Sequence, residues 1–71
     1  MEMKMEALQD VKEQAYLVEA KIVSLKQRLA EYGASISEEL QENIIYQINV
    51  LEQRHNQLMQ NVDFYQKQLL F

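Results

Sequence analysis

The 71 residues contain no cysteine, no proline, no tryptophan and a single glycine. Without cysteine there is no disulfide framework and no thiolate metal site, a composition that fits a reducing compartment such as the cytoplasm. Without proline and with one glycine, the chain lacks the turn-forming residues that a β-sandwich or barrel needs every few residues. Long apolar runs are missing too. The longest runs of large apolar side chains are Tyr16-Leu17-Val18, Ile44-Ile45-Tyr46 and Leu69-Leu70-Phe71, whereas a signal peptide core needs roughly seven to fifteen residues and a spanning helix about twenty. The expectation is a soluble protein without a classical export signal or membrane insertion.

Excess positive charge is also lacking. Seven Lys and Arg are scattered among eleven Asp and Glu, for a net charge of −4 and a pI near 4.8. Phosphate backbones and anionic membrane surfaces require clustered bases, so nucleic acid is excluded as a partner and a membrane-surface role is disfavoured.

What is present is helical pattern. Apolar residues make up 48% of the chain, too many for a disordered segment. In the first half, Leu8, Val11, Ala15, Val18, Ile22, Leu25, Leu29 and Tyr32 recur in steps of three and four, which places one side chain per turn on a single helix face. In the second half, Leu40, Ile44, Ile48, Leu51, His55, Leu58, Val62, Tyr65 and Leu69 do the same. Between them, Tyr32 to Ser37 is the only break. Gly33 suits a left-handed helix C-terminus, and either Ser35, with Glu38 three residues on, or Ser37 can cap the second helix. Glu38, Glu39 and Glu42 then sit in its first turns, where the helix dipole favours negative charge.

The sequence therefore predicts an all-α, coiled-coil-like antiparallel hairpin in one domain, with helices over about 3–32 and 38–70 and a turn at 33–37. Folding at that turn faces residues whose numbers sum to about 73: Leu29 with Ile44, Leu25 with Ile48, Ile22 with Leu51, Val18 with His55, Ala15 with Leu58, Val11 with Val62 and Leu8 with Tyr65. Apolar meets apolar in nearly every layer.

The two seams do not use up the apolar residues. Tyr16, Val23 and Ala30 lie to one side of the first seam; Ile45, Met59 and Leu70 flank the second; Leu17, Tyr46, Val50, Phe64 and Phe71 lie further round. A hairpin has one inner face, and a large apolar surface left outside it marks an interaction site. Tyr16, Ala20, Val23, Ile45, Tyr46 and Met59 are the candidate partner-binding residues. The partner is either another helical protein or a second copy completing a four-helix bundle.

Chemistry is sparsely represented. His55 is the only histidine, and Glu52-Gln53-Arg54-His55 spells the Glu-x-x-His of di-iron carboxylate bundles, but a site of that kind needs a second such motif and two further inward glutamates. His55 reads instead as a polar seam residue that specifies register. The acids near residue 40 have no base or nucleophile converging on them, Ser35 and Ser37 have no catalytic histidine partner, and no glycine-rich phosphate loop exists. The expectation is a protein that is not an enzyme, with no cofactor, metal or small-molecule substrate. Met1, Met3 and Met5 read as a fraying terminus.

Two families of helical hairpins come into view. Ser37-Glu38-Glu39-Leu40-Gln41 looks like the Ser-Gln-Glu-Leu-Asp motif of the small hairpin aspartyl-phosphate phosphatases, with Gln41 in place of the catalytic aspartate; without that carboxylate the activity does not carry over. In length, hairpin layout and short polar loop, the whole chain resembles the YscE-like co-chaperones of type III secretion needle subunits. That resemblance implies a cytoplasmic hairpin that binds a repeat-type helical co-chaperone and acts as a chaperone or adaptor by covering apolar surface.

Overall fold

A computed structural model describes the backbone of residues 2–70 and the side chains of residues 5–69; the expectations for Met1, Met3, Leu70 and Phe71 lie outside the described residues. The chain forms a helical hairpin. Helix α1 runs Glu2–Tyr32 and helix α2 runs Glu38–Leu70, joined by a single turn of 3-10 helix at Gly33–Ser35. At about 1.5 Å per residue, helices of this length reach nearly 50 Å, which accounts for a rod measuring 52 × 14 × 14 Å. None of the described helices is long and apolar enough to cross a membrane.

The core is a strip one side chain wide. Ala15, Ile22 and Leu25 from α1 and Ile44, Ile48, Leu58 and Val62 from α2 are buried. Ile22, Leu25, Ile44 and Ile48 form its centre, with Val18, Leu29, Ile36 and Leu51 packed around them, a grouping that follows the register in which facing numbers sum to about 73. Leu8, Val11, His55 and Tyr65 are half-buried towards the open end. Two cylinders touch along a line, so each seam residue keeps part of its surface in water; no described side chain is less than 2% exposed.

The turn departs from the sequence expectation in two ways. Gly33 has no positive φ: instead of a left-handed stop, α1 tightens directly into the 3-10 turn, and the reversal comes at Ile36, which is extended at φ −103°, ψ 159°. Of the two candidate caps, Ser37 serves. Its Oγ accepts from the Leu40 N–H at 3.2 Å and its carbonyl from the Gln41 N–H at 2.9 Å. The second difference concerns the first inward position of α2. Leu40, expected on the seam, is 48% exposed, and Gln41 turns inward in its place, donating from Nε2 to the carbonyl oxygens of Gly33 and, at 3.4 Å, Ile36. Gln41 lies seven residues before Ile48, on the same inward column, whereas Leu40 stands about 100° round the helix from it. The carbonyls of the connecting turn require a donor, and the amide meets that need where a leucine could not.

Tyr32 and Leu69, at the ends of the expected seams, are also exposed. Tyr32 lies along a shallow groove beside the turn, shared with Arg28, Ile36, Leu40 and Gln47.

A candidate protein-binding face

In a left-handed helical pair, positions seven apart form columns along each helix. Ile45, Glu52 and Met59 make one such column on α2. On α1, Tyr16 and Val23 make another, with Lys12, Glu19 and Lys26 between that column and the seam. The helices are antiparallel, so these columns fall on the same side of the hairpin. Two observations place them there together. The Lys26 Nζ lies 3.7 Å from Glu52 Oε2, crossing from helix to helix, and one groove is lined by Tyr16 and Glu19 from α1 and by His55, Met59 and Gln66 from α2.

Tyr16, Val23, Ile45 and Met59 thus lie on one face, and all are exposed, Tyr16 at 72%. The Lys26–Glu52 pair has both side chains about half in water and contributes at most about 1 kcal/mol; its effect is to set the polar centre of a face whose two ends are apolar. Ala20 sits at the outer edge of the face, where Tyr16, Glu19, Ala20 and Val23 border a shallow depression along α1. Because Ala20 is small, the depression leaves room for an incoming side chain.

Tyr46 is not part of this face. It follows Ile45 by one residue, hence about 100°, which carries it to the outer side of α2. There it is 69% exposed, in the company of exposed Val50 and Phe64. Phe64 is braced edge-on by the neighbouring Tyr65, ring centroids 5.7 Å apart. Leu17 is similarly separate, on a patch with Lys12, Glu13 and Tyr16.

His55 is half-buried and contributes an edge to the groove under Tyr16 and Met59. Glu52, three residues before it, is engaged with Lys26 on the surface. Among the described residues no three His, Asp or Glu side chains gather closely enough to hold a metal ion.

Two structurally decisive residues, Ile36 and Gln41, escaped the pattern reading. Ile36 falls in the break, outside either seam, and Gln41 is polar, so neither stands out among the apolar residues. Two signals could have pointed to Gln41: it lies seven residues before Ile48 and so on the inward column of Ile48, His55 and Val62, and the carbonyls of the turn require a donor.

Compared with known proteins, the chain matches no family model, no curated protein and no solved structure.

Proposed function

We propose that this hairpin is a non-enzymatic protein-binding module, a small cytoplasmic chaperone or adaptor that packs the face formed by Tyr16, Val23, Ile45 and Met59, with Ala20 at its edge, onto a helical partner. The observation that carries this reading is the shared, exposed placement of those apolar side chains on one two-helix face. Anchoring by an aromatic and a methionine is the composition of adaptable helix-binding surfaces. The thin core supports it as well. A strip of side chains that all retain some exposure gains from any surface that covers it. Such a module acts by keeping the partner's apolar surface out of water, with no bond-making step. The resemblance to YscE-like co-chaperones adds that the partner is a helical-repeat protein and that the pair guards a secretion substrate.

The test is co-purification from cells of the chain's own source, comparing wild type with Tyr16→Glu/Met59→Glu and with the control Gln14→Glu. One defined partner recovered with wild type and control but lost with the double variant, at unchanged helicity, supports the module. Equal recovery with all three chains overturns it. A second reading, in which two copies close a four-helix bundle through this same face, is supported by the same thin core. It differs in expecting a discrete dimer of the isolated chain that Tyr16→Glu/Met59→Glu converts to monomer.

A further inference from the structure

The outward faces of the two helices differ sharply in charge. On α1, the positions pointing away from α2 run Glu6, Asp10, Glu13, Leu17, Ala20, Ser24, Gln27 and Glu31, all exposed, with acids towards both ends and four uncharged residues between. On α2, the corresponding positions are Tyr46, Val50, Gln53, Gln57, Gln60 and Phe64: six consecutive positions in steps of four and three, every one exposed and none charged, along about 27 Å of helix. In a chain with 25% charged residues, an uncharged stripe with coiled-coil spacing and an aromatic at each end has the form of a second seam.

We infer that this stripe pairs with the same stripe of a second copy, antiparallel, about a two-fold axis level with His55. The register follows from the spacing. Positions summing to 110 meet: Tyr46 with Phe64, Val50 with Gln60, Gln53 with Gln57, each twice by symmetry. Aromatics thus pack together at both ends, and glutamine amides, each both donor and acceptor, face one another in the middle.

Charge selects the second copy and its direction. Self-pairing of the outer row of α1 brings acids together in either direction, Asp10 against Glu31 when antiparallel and each acid against itself when parallel, whereas the six-position stripe of α2 carries no charge. A parallel pair would bring together the acidic starts of both α2 helices, Glu38, Glu39 and Glu42. The antiparallel pair instead sets Lys67, in the last turn of α2 and paired with Asp63 of its own helix at 3.1 Å, level with Asn43 of the other copy and next to its Glu42, and it opposes the two helix dipoles. Arg54 of each copy lies at the rim near the axis, where its long side chain diverges into water.

The geometry has a consequence for binding. Rotation about an axis normal to the row of four helices keeps both Tyr16 and Met59 faces on the same side of the dimer, whereas a parallel pair would put them on opposite sides. The antiparallel dimer is a two-site platform for a repetitive or elongated helical partner. That bivalence rests on the function proposed for the Tyr16 face; the pairing itself does not. One helix row per copy is a small interface, so the dimer is concentration-dependent.

The absence of native cysteine makes the test direct. Chains carrying Val50→Cys and chains carrying Gln60→Cys are oxidised gently, alone and mixed. The expected result is fast disulfide formation only in the mixture, linking one chain of each kind and abolished in urea. Efficient linking of each variant with itself would show a parallel pair and overturn the inference. Linking no faster than in urea, including the case of a dimer through the Tyr16 face, would overturn it as well. As a second measure, Gln57→Glu places like charges about the axis and should raise the dimer dissociation constant at least tenfold at unchanged helicity; an unaltered constant counts against the stripe.

Discussion

The side-chain amide of Gln41, in the first turn of α2, donates to the backbone carbonyl of Gly33, eight residues earlier in the 3-10 turn that follows α1. A second, longer hydrogen bond from the same nitrogen reaches the Ile36 carbonyl at 3.4 Å. One side chain therefore ties the 3-10 turn and the extended residue of the reversal to the first turn of the next helix. It does so at a half-buried site where those carbonyls have restricted access to water. The link belongs to tertiary structure, yet it supplies what a local cap would otherwise supply.

Removing that link should weaken the hairpin. Gln41→Ala is expected to cost about 1 kcal/mol, the net worth of a hydrogen bond. Gln41→Glu, which keeps the size but turns a donor towards two carbonyl oxygens into an acceptor, is expected to cost more, on the order of 1–3 kcal/mol at neutral pH. Urea unfolding followed by circular dichroism reads both; two variants as stable as wild type would show the link to be idle.

Gly33 makes the opposite prediction from the one its sequence context invites. A glycine at a left-handed position loses about 1 kcal/mol on replacement by alanine, but Gly33 has no positive φ, and an added Cβ would meet only Leu29 Cδ1, at an ordinary 3.7 Å. Gly33→Ala should therefore be neutral or stabilising by about 0.4–1 kcal/mol, through a less flexible unfolded chain. A clear drop in melting temperature would contradict this backbone geometry.

The two serines of the turn are distinguishable. Ser37→Ala removes the acceptor used by the Leu40 N–H and should cost about 0.5–2 kcal/mol. Ser35→Ala removes an exposed side chain of the 3-10 turn and should stay within about ±0.5 kcal/mol. Equal losses at both positions would mean that the cap is shared.

At the start of α2 the same kind of contrast holds for packing. Ile44→Ala empties a buried site at the centre of the cluster and should cost about 2–5 kcal/mol. Leu40→Ala, on a side chain 48% exposed, should cost less than about 1 kcal/mol. Thermal melts at one fixed concentration compare the two, and a Leu40→Ala loss as large as that of Ile44→Ala would place Leu40 back on the seam.

Helicity, the division into two helices and the sum-of-73 register are properties of spacing and of one break, and spacing is local. Every residue from Leu8 to Leu29 that belongs to the α1 seam announces itself by falling three or four positions from the last, because burial selects one face of a helix with 3.6 residues per turn. The exposed residues Tyr16, Val23, Ile45 and Met59 could be named for the complementary reason, that they are apolar and off the seam.

Tertiary structure alone decided what happens where periodicity stops. At the turn, the direction in which α2 sets off depends on Ile36 being extended, on Ser37 holding the first free N–H groups and on the carbonyls of the turn finding a donor. Gln41 continues the inward column of Ile48 and His55 and its amide binds the carbonyls of the turn, whereas a reading of apolar residues alone gives that place to Leu40. Likewise, Tyr46 and Ile45 are neighbours in sequence but belong to different surfaces. The boundary between the Tyr16–Met59 face and the outer stripe of α2 is set by which side chains α1 shadows, a relation between two helices that exists only once they have packed.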